Sequence, residues 1–301
     1  MASTTTSQAY LIRDDVWSTQ IQETLEEELF GQSVVDWIKD FPDGDEIHIP
    51  TFGTLATRNY AENQDIIFDD LTTGEFTLTI DKYYGNGVAI TDKLKQDTFY
   101  LSEIQSKFPM HVVRGMMERL ENDIYLLHKE QTNNDANTIN GQAHRYVATG
   151  TSNVIALKDV AQAKLSLDKA NVSKMGRIAI VDPTVSYQLV QIDNVIRQDV
   201  YGPNSKLKDG FGSTKYIGQY LGFDFYESNM LDEATALDYD TGGVLKANLF
   251  LGEEVFKGAI RKMPEIEFFR NVTKKRDEYS ATMRYGLGLY REESLVTVLT
   301  A

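Results

Sequence analysis

The segment from Asp45 to Thr91 most limits how this chain can fold, because it reads as a single β-hairpin of about 45 residues. Ile47, Ile49, Thr51 and Leu55 flank Pro50 and Gly53 on the way out. On the way back Phe76, Leu78 and Ile80 alternate with Glu75, Thr77, Thr79 and Asp81, a period of two. Tyr83, Val88 and Ile90 continue the returning strand across Gly85-Asn86-Gly87, with Asn86-Gly87 as a turn inside the β region. The tip, Arg58 to Gly74, is polar apart from Ile66-Ile67-Phe68. A two-stranded ribbon cannot bury both faces by itself. It must lie on the body of its own subunit or on a neighbour.

Thr91-Asp92 caps a short helix, and a longer one follows. Ser102, with Gln105 three residues on, forms a capping-box pattern. A helix follows from Glu103 to about Gln131. Val112, Val113, Met116, Met117, Leu120, Ile124 and Leu127 fall inside an arc of roughly 140°. Ile104 and Phe108 lie outside it, and Pro109 between the two sets implies a kink or a restart. Such a helix is about 40 Å long, more than one small domain requires. Ahead of the hairpin, residues 1–13 read as a loose Ser/Thr-rich arm. Val16, Trp17, Ile21, Leu25, Leu29 and Phe30 then form the apolar side of a helix whose other side carries Glu23, Glu26, Glu27 and Glu28. Val34, Val35, Trp37 and Ile38 extend that face to Phe41, where Pro42-Asp43-Gly44-Asp45 stops it.

Beyond residue 133 the elements shorten. Asn133 to Gly150 reads as loop and Leu157 to Asn171 as helix. Arg177-Ile178-Ala179-Ile180-Val181 has a buried-strand pattern, and Asp182-Pro183 opens a helix with Pro at its favoured first position. Loops at 199–218 and 229–243 border short strands at Tyr216-Ile217-Gly218 and Phe223-Asp224-Phe225-Tyr226. Leu249-Phe250-Leu251, Ile266-Glu267-Phe268-Phe269 and Ser280 through Val298 are β-like. The fold class is α+β, with helices and strands partly segregated.

Chemistry is hard to find. The chain has no cysteine, which excludes disulfide scaffolds, thiolate metal sites and cysteine nucleophiles. His48, His111, His128 and His144 have no metal-ligand spacing and read as surface or structural residues. There is no G-x-S-x-G elbow and no phosphate-cradling G-x-x-x-x-G-K-[ST]. Gly210-Phe211-Gly212 lacks the third glycine of a dinucleotide fingerprint. Asp43-Gly44-Asp45-Glu46 and Asp238-Tyr239-Asp240 do not complete a calcium loop and read as solvated turns. With 30 Lys+Arg against 45 Asp+Glu, the net charge is -15, a poor surface for phosphate backbones. The one basic run, Lys274-Lys275-Arg276, is blunted by Asp277 and Glu278. The N-terminus has no secretory pattern and no stretch approaches the ~18 apolar residues of a membrane span. No catalytic, cofactor-binding or metal-binding residue is assigned, and no cofactor is expected. An arm, a long hairpin and a long helix that overreach one core point instead to assembly with other chains.

In order and spacing, these elements resemble a tailed-bacteriophage major capsid protein of the Hong Kong 97-type fold. Val16 to Phe41 resembles the family's N-terminal arm, and Gly44-Asp45-Glu46-Ile47-His48-Ile49-Pro50 with Phe52-Gly53 the strand opening its extended E-loop. Ile80-Asp81-Lys82-Tyr83 and Val88-Ala89-Ile90-Thr91-Asp92 resemble the return strand, and Glu103 to Gln131 the spine helix. Arg177 to Pro183 with its following helix is similar to the axial-domain strand–helix unit, and Ile217 to Asn229 to a glycine-bounded strand pair of coat proteins, closest to those of short-tailed phages. The resemblance implies an N-terminal arm over 1–42, an E-loop hairpin over 43–92, a peripheral domain with the spine helix over 93–150, an axial domain over 151–245 and peripheral return strands over 246–301. It implies a shell of pentamers and hexamers around the phage double-stranded DNA without sequence-specific binding, located in the virion and assembled in the host cytoplasm, with no membrane. It also implies a separate scaffolding protein, a portal protein and, optionally, a decoration protein. Trp17, Phe30, Ile66, Ile67, Phe68, Tyr201 and Phe211 are the subunit-interface candidates. Two alternatives stay open: an encapsulin-like compartment shell, and a soluble α+β enzyme with an unrecognised acidic site.

Overall fold

The computed structural model describes residues 29–39, 44–53, 57–60, 62–63, 65, 68, 70, 73–97, 101–131, 138–191, 216–234 and 245–301, with main chain alone at 101–109, 190 and 216–217. In chain order the elements are β1 (Val35–Trp37), β2 (Glu46–Phe52), β3 (Thr73–Thr79), β4 (Lys82–Thr91), α1 (Asp92–Asp97), α2 (Leu101–Tyr125), β5 (Thr138–Ile139), β6 (Gln142–Ala143) and β7 (Arg145–Val147). They continue as α3 (Leu157–Lys169), β8 (Arg177–Val181), α4 (Pro183–Val190), β9 (Tyr216–Tyr220), β10 (Phe223–Glu227), β11 (Glu233–Ala234), β12 (Leu245–Leu251), β13 (Phe256–Asn271), β14 (Arg276–Leu289) and β15 (Leu295–Thr300).

The strands form two main sheets. One has the order β1-β13-β14-β4 and is built on the long antiparallel hairpin of β13 and β14. The other follows β7-β15-β12-β8-β10-β9, with β11 beside β12. Among the described residues β2 and β3 pair only with each other. The amphipathic helix α2 lies on the first sheet. Met116, Leu120 and Ile124 share a buried cluster with Phe256, Met283 and Tyr285. Val160, Ala163 and Leu167 of α3 and Val185 of α4 cover the second sheet over Phe223, Phe225, Phe250, Val296 and Val298. Phe223 and Phe225 meet Phe250 edge-on at ring distances of 5.2 and 6.0 Å, which adds to burial of about 1.5–3 kcal/mol per ring.

Local signals place several elements where the sequence puts them. Asp182 caps α4 by accepting the Thr184 N–H at 2.9 Å, with Pro183 next. Thr91 Oγ1 accepts the Leu94 N–H at the start of α1. The long helix is one element through Pro109 to Tyr125, then tightens to a 3₁₀ turn over Leu126–Glu130, so Pro109 does not restart it.

Five expectations change. Val35–Trp37 is not the end of a helix but a strand parallel to β13, with Val35 opposite Phe256. Residues before Leu29 lie outside the described set. The hairpin proper ends at Thr79: β4 leaves it and pairs along its whole length with β14. Asn86-Gly87 is therefore mid-strand, not a turn. Gly87 is needed for close approach, since a Cβ there would sit 3.0 Å from the Tyr279 carbonyl oxygen. Finally, the boundary expected at 245/246 does not divide the sheets. β12, which straddles it, and β15, beyond it, flank each other beside β8 in the second sheet. The 133–150 loop also carries β5, β6 and β7. A period of two says which face of a strand is buried, not which strand lies beside it.

Candidate assembly surfaces

The β2–β3 hairpin is anchored to its own subunit at its base. Leu78 and Ile80 are buried with Ala259, and Ile47 and Phe76 pack on them. Phe76 also meets the Tyr290 ring edge-on at 5.2 Å. The base rests directly on β14, because Gly286 and Gly288 have no side chains to hold it off. A Cβ on Gly286 would clash with the Thr79 carbonyl oxygen and lie 3.0 Å from Ile80 Cα, and one on Gly288 would lie 3.1 Å from Phe76. Arg284 bonds Asp45 at 2.9 Å and Arg261 bonds the Gly44 carbonyl, so Asp45 is pinned in an ion pair. Farther out the aromatic residues emerge. Phe52 is 70% exposed, Tyr60 66% and Phe68 90%.

Three polar clusters fix the elements around that hairpin. Glu121, fully buried on α2, accepts the N–H groups of Phe30 at 2.9 Å and Gly31 at 2.7 Å and the Tyr125 hydroxyl at 2.5 Å. Its neighbour Asp123, 1% exposed, accepts from Tyr285 Oη at 2.8 Å, Lys82 Nζ at 3.1 Å and Tyr84 Oη at 3.2 Å, with Arg119 Nε 3.3 Å from its other oxygen. Burial, then the Asp123 charge, raises the Tyr285 phenol above its usual range, so it stays a donor. The third cluster clamps the far end of β13–β14 to α1. Arg270 grips both oxygens of Asp92 at 2.7 and 2.6 Å and Asp277 at 2.8 Å, while Lys95 pairs with Asp277. The Arg270 hydrogen bonds hold Asp92 below the ordinary carboxylate range, and the Lys95 bond, ahead of that from Arg270, does the same for Asp277.

The four histidines do not converge. His48 lies on β2, exposed, beside Thr77 and Glu75, and His111 is exposed on α2. His128 is wholly buried, with Nε2 3.1 Å from Asp232 and Nδ1 3.3 Å from the guanidinium of buried Arg145. Burial depresses it despite the Asp232 bond. Arg145 can only donate, so Nδ1 accepts and Nε2–H faces Asp232. His144 is buried too, its Nδ1 3.1 Å from the Gln142 carbonyl, and burial likewise depresses it. Among the described residues no group of three or more His, Asp or Glu side chains could hold a metal, and no helix is long and apolar enough to cross a membrane.

Of the interface candidates, Phe68 is exposed. Phe30 packs within its own chain, stacked on Tyr226 at 4.0 Å. Trp17, Ile66, Ile67, Tyr201 and Phe211, like Asp238-Tyr239-Asp240 and Gly210-Phe211-Gly212, lie outside the described residues. The sequence reading missed the outer half of β13, where Met263, Ile266, Phe268 and Phe269 are 40–62% exposed. The signal was present: Ile266-Glu267-Phe268-Phe269 puts apolar side chains on both faces of one strand, which a half-buried strand does not do.

Comparison with known proteins gives a consistent picture. A family model described as phage capsid protein matches residues 74–298. No curated protein matches. Among solved structures, a capsid chain of the cyanophage P-SCSP1u superposes with a TM-score of 0.77 at 15% identity, covering 99% of this chain and 95% of that one. A chain from Mycobacterium phage Che8 gives 0.71 at 16% identity over 95% and 96%. A chain from the capsid of the cyanophage Pam1 gives 0.65 at 13% identity over 99% and 98%.

Proposed function

Because this chain belongs to the phage capsid protein family, it is a coat protein of the virion shell with the Hong Kong 97-type fold, and we infer that its β2–β3 hairpin reaches onto an adjacent subunit. Its role is structural. Family membership favours the coat over both the compartment shell and the soluble enzyme.

One observation carries the inference. The hairpin is anchored at its base by Ile47, Phe76 and Leu78, while Phe52, Tyr60 and Phe68 stand 66–90% exposed beyond it. Exposed aromatic surface of that kind gains free energy only when another surface covers it. On this reading residues 43–79 act as the E-loop, α2 is the spine, β13 and β14 with β4 form the peripheral sheet, and the second sheet with α3 and α4 forms the axial domain gathered at five- and six-fold centres. Trp17, Ile66, Ile67, Tyr201 and Phe211 remain interface candidates together with Phe68. A scaffolding protein would guide assembly in the host cytoplasm, a portal protein would occupy one vertex, and a decoration protein is an optional addition. The net charge of -15 fits a shell that encloses double-stranded DNA without adhering to it.

The test is imaging. Wild-type protein, alone and with its scaffold, is expected to form shells in negative-stain micrographs. A variant whose residues 54–72 are replaced by a short Gly-Ser linker should keep its circular dichroism and yield only capsomers or monomers. Normal shells from that variant would refute the hairpin's role.

A further inference from the structure

The chain holds two Asn-Gly pairs, Asn86-Gly87 in β4 and Asn140-Gly141 between β5 and β6. An asparagine followed by glycine carries the parts of a slow self-modification. The carboxamide carbon is an electrophile, and the next amide nitrogen belongs to a residue with no side chain to shield it. The fold decides whether the two groups can react, and it holds the two pairs differently.

Among the described residues β4 borders only β14, so alternate N–H groups along it point away from the sheet. The phase is fixed at one end. The Asp92 N–H donates to the Lys275 carbonyl at 2.9 Å, one step beyond the Thr91–Arg276 pair. The register runs unbroken from there to Lys82, so even-numbered N–H groups face β14 and odd-numbered ones face outward. Gly87 is odd, and its N–H donates to Asn86 Oδ1 at 2.8 Å. The attacking nitrogen is thus outside the ladder and already in contact with the group it attacks. Asn86 is exposed to water, and Gly115 of α2 leaves room beside its Nδ2, where a Cβ would lie 3.4 Å away. Asn140 is built the other way. Its Nδ2 donates to the Lys169 carbonyl at the end of α3 at 3.1 Å, which ties down the nitrogen that would have to leave. Asn140 and Gly141 have φ of 49° and 76° in a turn closed by the pairing of Ile139 with Gln142.

We propose that Asn86-Gly87 is a self-modification site that converts to aspartate and isoaspartate in the folded subunit. Hydroxide takes the Gly87 amide proton, and the nitrogen bonds to Asn86 Cγ. The Cγ–Nδ2 bond breaks, and ammonia leaves with a proton from water. Water then opens the cyclic imide at either carbonyl, its hydroxyl staying on carbon and its proton going to nitrogen. Opening at the main-chain carbonyl of residue 86 routes the backbone through Cγ and inserts one methylene into β4. Val88 and Ile90 then lose register with Tyr279 and Asp277, although Ile90 is fully buried in the native strand. The proposal concerns the free subunit and does not rest on the coat reading.

The test follows both pairs in one sample. Full-length protein is held at pH 8 and 37 °C, natively and in guanidinium chloride, and sampled over time. Tandem mass spectrometry reads the mass gain of NH₂ replaced by OH and distinguishes isoaspartate at each pair. In the native protein, conversion at Asn86 should outrun that at Asn140 at least tenfold. In denaturant both pairs lose their framework and should agree within twofold. Asn86→Gln, aged in parallel, lacks the site, and Asn86→Ser replaces it if the glutamine variant does not fold. Amide exchange at Val88 and Ile90 should be at least fivefold faster in the isoaspartate form, separated by chromatography, than in that variant. No conversion at Asn86, equal native rates at the two pairs, or the same tenfold gap in denaturant overturns the proposal. Conversion without faster exchange at Val88 and Ile90 overturns the loss of register.

Discussion

Replacing Glu121 should release the chain that leads into β1 from the long helix. The carboxylate satisfies three donors at once: the Phe30 and Gly31 amides at 2.9 and 2.7 Å and the Tyr125 hydroxyl at 2.5 Å. Glutamine keeps the shape but offers one oxygen to two amides, so one N–H then faces an NH₂ group. An unsatisfied buried donor costs about 1–3 kcal/mol. The bond that survives loses its charge assistance, roughly half its strength. Glu121→Gln should therefore destabilise the subunit by about 2–4 kcal/mol, and Glu121→Ala, which strands all three donors, by about 3–5 kcal/mol. Gly31→Ala should approach the same defect from the other side, because its Cβ would lie 2.9 Å from Glu121 Oε2 and 3.1 Å from Cδ. The double variant should be less than additive, since both changes break one contact. Urea unfolding of unassembled subunits, read by tryptophan fluorescence, gives the free energies. Amide exchange at Phe30 and Gly31 should accelerate at least tenfold, as about 1.4 kcal/mol per decade requires. A Glu121→Gln subunit within about 0.5 kcal/mol of wild type, with unchanged exchange at both amides, would refute the reasoning.

Three further outcomes are expected. His128 and His144 are held neutral by burial below their usual value of 6.5, so the unfolded chain takes up protons first: stability is complete above pH 6.5 and falls as the pH drops through that value toward the lower folded ones, and His128→Gln with His144→Gln should flatten the melting-temperature difference between pH 7.5 and 5.5. Asp92 and Asp277 are depressed instead, so the clamp on Arg270 and Lys95 is intact above the ordinary 3.8 and is lost only as the pH falls through the lower folded values; Arg270→Ala should speed proteolysis at 272–275 at pH 7 and make no difference once both carboxylates are protonated. Gly286→Ala should pry the hairpin base from β14, leaving a folded subunit by circular dichroism but abolishing shells in sedimentation; wild-type sedimentation would show that the close approach is dispensable.

Elements with local signals were legible from the residues. The caps of α1 and α4, the apolar arc of α2 and the alternation at Phe76, Leu78 and Ile80 all lie within a few residues of the structure they specify. Assembly surfaces were half legible. The aromatic hairpin stood out because it overreaches a single core, whereas Phe268 and Phe269 looked like ordinary strand residues, and only the fold left them 59% and 62% exposed. Glu121 and Asp123 gave no warning, since acidic residues on a helix usually mark its wet side. Here each is buried because donors distant in the chain, at Phe30 and Gly31 or at Lys82, Tyr84 and Tyr285, converge on it.

From the residues alone follow an α+β chain, a hairpin and a helix too long for one small core, and no recognisable constellation for catalysis. Only the folded chain decided that Val35–Trp37 is a strand, that Lys82–Thr91 abandons the hairpin for β14, and that the last strand, Leu295–Thr300, lies inside the second sheet. The division has a physical basis. Helical period, caps and turns are set by neighbours along the chain. Lateral pairing is made by backbone groups that every residue shares, so it is chosen by packing between segments far apart in sequence.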